Sequence, residues 1–284
     1  MKEQGGLVKT DLRQSLLRDG FVRLRQQIPR DVVSMLEETS DGVLAAVDNE
    51  TRSRTKSQGS MVRLTADPRF ADLVVLPQAL SALAMLGYRT PAFSDGYLIS
   101  KPPHSPRLFW HYDWFAWKER RSHDPEPLQV ALMYYLTDTT RANGCLRVIP
   151  GSHIHHNELH DLLAEPHSKS LAAVEDPGNP AFGDRPDEVD VAVDAGDLLV
   201  VDARLLHASH ANTTDQPRTM LTLWYQPDLD SLPPAIQAQM AAKAHVAPDD
   251  WPQEARDKWH SILVSYEGGA DPIGRQLYQK LPDL

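Results

Sequence analysis

The chain has 284 residues, of which 41% are hydrophobic and 24% charged, so it is expected to fold around a substantial core. A formal net charge of -10 argues against a nucleic-acid partner and against docking on a membrane of anionic lipid. One cysteine, Cys145, excludes an internal disulfide and a cysteine-rich zinc cluster, and the polar start together with the lack of long apolar runs predicts a cytoplasmic protein, monomeric or homodimeric.

The N-terminal part of the chain has mainly helical patterns. Helices are predicted at residues 10–19, from Pro29 onward and at 73–86, where the apolar residues recur on one face. Residues 21–25 alternate apolar and basic residues, which is typical of a strand with one wet face. Residues 48–60 are polar and are predicted to form a loop.

From residue 93 onward the pattern becomes that of a β protein. Short apolar runs separated by turn residues predict strands at 94–100, 107–117, 128–137, 145–149, 189–194, 197–206 and 218–226. Residues 164–188 are rich in proline, glycine and charge and predict a long, mobile surface loop, with the role of a lid. Residues 227–284 predict helices that cover the outside of the sheet or contact a second copy.

We therefore predict a single domain over residues 1–284 that is mainly β with flanking helices. Its parts are N-terminal helices at 10–90, a jelly-roll core at about 93–226, and a C-terminal helical extension at 227–284.

Two potential metal ligands, His111 and Asp113, lie two residues apart in the predicted strand 107–117. Side chains alternate between the faces of a strand, so these two are expected to point the same way. They would supply two ligands of a 2-His-1-carboxylate triad, which holds non-haem Fe(II). An H-x-D pair also arises by chance on a two-faced strand, so a third ligand is required.

His207 is the favoured third ligand, because it directly ends the apolar run 198–207 and places Ser209 on the same face. His210 is the competing ligand, and His207 could instead be an ordinary core histidine. Arg218 opens the next predicted strand and would lie beside His207 if the two strands pair. A guanidinium pairs with a carboxylate through two hydrogen bonds, so Arg218 and Ser209 together suit the distal carboxylate of 2-oxoglutarate.

Several motifs give the chain a family resemblance: Asp19-Gly-Phe21, Ser100-Lys-Pro-Pro103, Phe109-Trp-His-Tyr-Asp113, Asn143-Gly-Cys-Leu146, Ile149-Pro-Gly-Ser-His153, Gly196-Asp197 and His207-Ala-Ser209 followed by Arg218. With them the chain resembles the phytanoyl-CoA dioxygenase family of Fe(II)/2-oxoglutarate oxygenases, which includes ectoine hydroxylase. The resemblance implies a cupin-like double-stranded β-helix with Fe(II) on His111, Asp113 and His207. It also implies that 2-oxoglutarate is bound by Arg218 and Ser209, with Lys101 as a further contact.

The resemblance leaves the substrate open. Trp117 takes the place of an active-site tryptophan of ectoine hydroxylase, and Tyr97 falls near the position of its substrate-binding arginine. Phe115 shares the predicted ligand face with Trp117. Arg204 could reach an anionic substrate or could be an ordinary surface charge. A structural role is expected for the nearby histidines His153, His155 and His156.

The predicted function is an Fe(II)- and 2-oxoglutarate-dependent dioxygenase that uses O2 to hydroxylate an aliphatic C–H bond of a small metabolite, releasing succinate and CO2. Desaturation, cyclisation or epimerisation with the same cofactors is the alternative. A zinc hydrolase uses similar ligands, and a cupin-like binding protein needs no catalysis. Arg218 with Ser209 argues against both, because neither class needs a carboxylate clamp beside the metal.

Overall fold

The computed structural model describes residues 2–163 and 168–280, and its strands form two antiparallel sheets. In chain order the strands are β1 (Phe21–Leu24), β2 (Ser60–Arg63), β3 (Ala92–Lys101), β4 (Leu108–His111), β5 (Val130–Tyr135), β6 (Leu146–Val148), β7 (Val189–Val191), β8 (Leu198–Asp202), β9 (His207–Ser209) and β10 (Arg218–Gln226). The larger sheet has the order β1-β8-β5-β10-β3-β2, and the smaller has the order β4-β9-β6-β7. This double-sheeted arrangement is the jelly roll that the sequence predicts.

Nine α-helices surround the sheets in the described part of the chain. They are α1 (Lys2–Asp19), α2 (Arg30–Ala45), α3 (Asn49–Arg54), α4 (Ala71–Val74), α5 (Pro77–Met85), α6 (Glu158–Leu162), α7 (Lys169–Ala173), α8 (Pro234–Lys243) and α9 (Gln253–His260). In the described ranges, none of the helices has the length and apolarity needed to cross a lipid bilayer.

The central strand β5 is buried along its whole length because both faces of the larger sheet are covered. Leu132 and Tyr134 belong to the core that the larger sheet shares with the N-terminal helices. The alternate residues Met133 and Tyr135 belong to the core between the two sheets. A strand covered on both faces is apolar at every position, which explains why it could be recognised as a continuous apolar run.

The C-terminal helices pack against the larger sheet, as the sequence predicts. Trp259 on α9 is fully buried, and its indole lies 5.0 Å from the Phe93 ring in an edge-on contact. The main chain of Phe93 donates to Ile262 and accepts from Val264, both at 2.7 Å.

Two of the predicted elements differ from the structure in the N-terminal part. The loop predicted at 48–60 is wrong, because this stretch contains α3 and reaches the start of β2. The Asp48 side chain accepts a hydrogen bond from the Thr51 amide at 2.7 Å, which caps the short helix. The helix predicted at 73–86 is interrupted between Val74 and Pro77, and proline suits the first turn of the second segment because it lacks an amide hydrogen.

The surface loop predicted at 164–188 contains a short helix and a buried anchor in the part that the structure describes. Residues 164–167 lie outside the described residues, but α7 follows them. Phe182 is buried, with its ring 6.3 Å from that of Phe109. The carbonyl oxygen of Gly183 accepts hydrogen bonds from the Trp110 indole and the Arg147 guanidinium. These contacts anchor the segment to β4 and β6.

Arg204 is neither a surface charge nor a residue that faces a substrate. Its side chain is 1% exposed and pairs with Asp202, with Nη2 lying 2.6 Å from Oδ2. It also donates to the main-chain oxygens of Ser122, Asp124 and Glu126. Arg204 therefore holds the 122–126 turn against the end of β8, and the expectation of contact with substrate is corrected.

Replacing Arg204 by methionine is expected to lower the free energy of unfolding by about 3–5 kcal/mol, because it leaves the buried Asp202 carboxylate unpaired. The control Arg69→Met removes an exposed pair with Asp67 and should change stability by less than about 1 kcal/mol. Urea denaturation of both variants measures the difference, and equal effects would contradict the buried-pair interpretation.

Candidate metal centre

The two imidazoles of the candidate site lie opposite each other on paired strands. His111 at the end of β4 pairs with His207 at the start of β9, and the ring centroids are 4.0 Å apart. The Nδ1 atoms lie 3.0 Å from the main-chain oxygens of Phe109 and Leu205, respectively. A carbonyl oxygen can only accept, so each Nδ1 carries the proton and each Nε2 keeps the lone pair that a metal requires.

Asp113 completes the group. His111 Nε2 lies 3.7 Å from Asp113 Oδ1, and His207 Nε2 lies 3.9 Å from Oδ2. All three potential ligand atoms lie within 4.8 Å of one another. Two imidazoles and one carboxylate in this arrangement fit the 2-His-1-carboxylate triad of non-haem iron sites.

The structure corrects the route by which Asp113 reaches the site. The strand predicted at 107–117 is too long, because β4 ends at His111 and the chain then leaves the sheet. The amides of Asp113 and Trp114 both donate to the Ala203 oxygen at 2.8 Å, which fixes the turn. The Trp224 indole donates to Asp113 Oδ2 at 3.0 Å and orients the carboxylate.

A cavity of about 100 Å³ connects this group with Arg218 and Ser209. The side chains of Arg218 and Ser209 are buried, at 3% and 2% exposure. Among the described residues, neither Arg218 Nε and Nη1 nor Ser209 Oγ has a hydrogen-bond partner. Burial lowers the pKa of Arg218, yet a guanidinium remains charged in a protein. A buried cation without a counter-ion is costly, so these donors fit a ligand carboxylate.

Arg218 reaches the cavity by a different route from the one predicted. Pairing of the strands 197–206 and 218–226 was the condition for placing Arg218 beside His207, but β5 lies between β8 and β10 in the larger sheet. His207 does not end β8 either, since it begins β9 in the smaller sheet. Arg218 and His207 therefore face each other across the space between the sheets, where both line the cavity.

Lys101 lies opposite Arg218 in the β3–β10 strand pairing, but its side chain binds other groups. Its Nζ donates to the main-chain oxygens of Ser57 at 3.0 Å and Pro106 at 2.6 Å, and the residue is not among those that line the cavity. An ammonium has three N–H donors, so one remains for a ligand. Burial, and then the Arg218 charge, keep the pKa of Lys101 well below its usual value.

The other histidines considered as ligands have separate partners. His210 Nε2 lies 2.6 Å from Asp190 Oδ1, and His153 Nε2 lies 3.1 Å from the Leu17 oxygen. The sequence did not reveal that Cys145, Asp190 and His210 also converge within 4.8 Å. Burial raises the pKa of Cys145 to about 11, so at neutral pH it is a thiol and a poor metal ligand.

Two of the predicted substrate residues, Tyr97 and Phe115, line a second cavity of about 250 Å³. Trp117 is absent from the linings of both cavities. Its ring lies 5.3 Å from that of Tyr112 and 4.8 Å from that of Tyr278, so it packs behind the site.

Trp224 lines both cavities but was not among the residues predicted for the site, and it shows the limit of the sequence pattern here. A signal was present, because residues 218, 220, 222 and 224 share one face of a strand and all line the first cavity. Asp95 and Arg275, which line the second cavity, were not predicted for the site either.

Comparison with known proteins places the chain among oxygenases. The sequence model of the family described as phytanoyl-CoA dioxygenase (PhyH) matches residues 16–220. The iron/alpha-ketoglutarate-dependent dioxygenase ausU of Aspergillus calidoustus is 28% identical over 213 residues, 71% of this chain and 64% of the relative. The ectoine dioxygenase of Sphingopyxis alaskensis is 28% identical over 231 residues, 73% of this chain and 72% of the relative. The match to ausU thus spans slightly less than two thirds of that protein.

Solved structures share the fold. The epimerase SnoN in complex with Fe3+, alpha ketoglutarate and nogalamycin RO has a TM-score of 0.61 and 20% identity, covering 96% of each chain. EctD from S. alaskensis with 2-oxoglutarate and 5-hydroxyectoine has a TM-score of 0.52 and 22% identity, covering 75% of this chain and 74% of its own. These similarities confirm the jelly-roll fold.

The convergence of the three ligands leads to a prediction about metal content. Alanine at His111, Asp113 or His207 is expected to abolish iron binding, because each removes one of three protein ligands. His210→Ala and His153→Ala serve as controls and should keep the wild-type iron content. Iron is measured per protein chain after anaerobic reconstitution. Loss of iron in His210→Ala with retention in His207→Ala would reverse the assignment.

Proposed function

Because the chain belongs to the phytanoyl-CoA dioxygenase family, we propose that it is an Fe(II)- and 2-oxoglutarate-dependent dioxygenase. It oxidises an aliphatic C–H bond of a small molecule, with hydroxylation as the outcome and succinate and CO2 as co-products. The observation that carries this proposal is the buried, unpaired donor set of Arg218 and Ser209 in the cavity that His111, Asp113 and His207 also line.

The chain's own residues have separate tasks in this reaction. His111, Asp113 and His207 would hold the iron, and the Trp224 indole keeps the Asp113 carboxylate oriented. Arg218 and Ser209 would bind the distal carboxylate of 2-oxoglutarate. When bound, iron with 2-oxoglutarate and O2 supplies an oxidising power that no amino-acid side chain has.

The walls of the first cavity limit the entry of water. Apolar side chains from both sheets surround the polar groups, among them Ile99, Met133 and Leu146. A low-polarity wall strengthens the ion pair between Arg218 and a bound carboxylate. Such a wall also protects reactive species from side reactions with solvent.

Other outcomes use the same site. Solved structures of this fold include the epimerase SnoN and the carbocyclase SnoK, so epimerisation or cyclisation is the alternative to hydroxylation. A zinc hydrolase could use the same three ligands. Neither a hydrolase nor a cupin-like binding protein explains why a buried guanidinium lies unpaired beside the metal ligands.

Succinate formation separates these classes of protein. The purified chain, reconstituted with Fe(II), is expected to convert 2-oxoglutarate to succinate only when O2 is present. The zinc-loaded chain is expected to form none, because zinc has no redox chemistry. Absence of O2-dependent succinate from the iron-loaded protein, across a panel of small-molecule substrates, would reject the proposal.

Replacing Arg218 by methionine is expected to raise the Michaelis constant for 2-oxoglutarate while iron still binds. Loss of two charged hydrogen bonds costs about 3–5 kcal/mol, which corresponds to a rise of about 10²–10⁴-fold. Arg218→Lys keeps the charge but not the planar pair of donors, so a smaller rise is expected. An unchanged Michaelis constant in Arg218→Met, with iron content as in the wild type, would contradict the carboxylate clamp.

A further inference from the structure

The last described part of the chain, residues 271–280, lies along the loop that carries the metal carboxylate. We refer to these residues as the C-terminal strap. The Gln276 amide donates to the Phe115 oxygen at 2.7 Å, and the Tyr278 amide donates to the Tyr112 hydroxyl at 2.9 Å. Residues Ala116 and Gln276 form an isolated parallel β-bridge. Two main-chain amides of the strap are therefore hydrogen-bonded to residues 112–116.

Side chains hold the strap on its other sides. The Tyr278 ring stacks on the His160 imidazole, with centroids 3.9 Å apart. The Gly274 amide donates to Gln239 Oε1 on α8 at 2.8 Å. These contacts fix both the direction of the strap and its distance from the second cavity.

The strap brings Arg275 to the second cavity, whose lining also contains Lys243 from α8. Arg275 Nη2 donates to the main-chain oxygen of Tyr112 at 3.2 Å. A guanidinium has five N–H donors, so most of its donors are left for other partners. Within residues 2–163 and 168–280, neither Arg275 nor Lys243 has a carboxylate within ion-pair distance.

Polar, apolar and aromatic side chains all line the second cavity. Gln129 and Gln239 contribute amides, while Phe115 and Met240 contribute apolar surface. Asp95 also lines the cavity, and burial raises its pKa to about 7, so it is only partly ionised at neutral pH. Asp113 is the other carboxylate of this lining, and its negative charge would be balanced by the metal that it is proposed to bind.

The second cavity adjoins the candidate metal centre. Met61, Asp113 and Trp224 line both cavities. A molecule in the second cavity therefore lies beside the potential metal ligand Asp113.

We propose that Arg275 and Lys243 form an oxyanion-binding subsite for the substrate, delivered by the C-terminal strap and α8. The substrate class is a small molecule that carries a carboxylate, phosphate or sulfate group, and the C–H bond to be oxidised lies on its other end, toward Asp113. A guanidinium and an ammonium that line the same cavity attract such a group, and the planar donors of arginine fix its orientation. This proposal rests on the proposed function only in placing the oxidised C–H bond beside the metal ligands.

Calorimetric titration with inorganic sulfate tests the subsite without knowledge of the substrate. The protein is loaded with Fe(II) and saturating 2-oxoglutarate under anaerobic conditions, so that Arg218 is already occupied. The wild type is expected to bind one sulfate, and Arg275→Gln is expected to weaken this binding by about tenfold or more. Lys243→Gln, a change of an exposed side chain, should weaken it by a smaller factor.

Arg256→Gln is the matched control, because Arg256 lies on α9 of the same extension and is absent from the cavity lining. This variant should bind sulfate as the wild type does, and thermal melting of each variant verifies that it is folded. Sulfate binding that is absent from the wild type, or equal in the wild type and both cavity variants, would overturn the subsite. Iron content and 2-oxoglutarate affinity, measured on the same samples, test the proposed function separately.

A panel of paired compounds then defines the class of substrate. Each carboxylic acid is compared with its primary amide for acceleration of succinate release. Acids are expected to accelerate release, and Arg275→Gln is expected to raise their Michaelis constants by about tenfold or more. Acceleration by the amides and not by the acids would overturn the proposal.

Discussion

The antiparallel pairing of β4 with β9 is the contact on which the candidate site depends. It sets His111 opposite His207, and β9 is held on its other side by β6, where Val148 pairs with His207. A shift of one residue in this register would turn an imidazole to the far face of the sheet. The Ala203 oxygen, four residues before His207, accepts the amides that fix the turn at Asp113. One short stretch of chain therefore positions all three potential ligands.

Buried cations elsewhere in the molecule show why Arg218 is unusual. Arg204 pairs with Asp202, and Arg147 pairs with Glu188, so each has a carboxylate of its own. Lys101 donates to two carbonyl oxygens. In the part of the chain that the structure describes, Arg218 has no carboxylate within ion-pair distance. Because an unpaired buried charge destabilises the fold, its retention points to a ligand that supplies the missing carboxylate.

Much of the fold could be predicted from local patterns, because strands covered on one or both faces show characteristic apolar periods. The ends of the strands and the short helices were harder to predict. Residues 112–117 continue the apolar pattern of β4, yet two amides that bind one carbonyl take the chain out of the sheet. The helix at 49–54 was indicated by Asp48, whose side chain caps it by accepting from the Thr51 amide. A prediction based only on the polar composition of this stretch does not detect such a cap.

The residues of the site were accessible to sequence reasoning to different degrees. His111, Asp113, His207 and Arg218 stand in motifs whose spacing reflects local chemistry. Arg218 lines the same cavity as His207, as expected, but the two residues meet between facing sheets and not on the neighbouring strands that the sequence argument assumed. Arg275 could not be found at all, because its position depends on long-range contacts of the C-terminal strap. The overall charge of -10 likewise does not reveal that Lys243 and Arg275 line one cavity.

The family match over residues 16–220 contains all three potential metal ligands and Arg218, whereas Lys243 and Arg275 follow it in the chain. The proposed metal ligands and the proposed substrate contacts are therefore encoded in separate stretches of the gene. Substitutions confined to Lys243 and Arg275 would change the proposed substrate contacts while leaving His111, Asp113 and His207 in place. For a duplicated gene, this separation offers a short evolutionary path to a new metabolite, because the proposed substrate contacts can change while the proposed metal ligands do not.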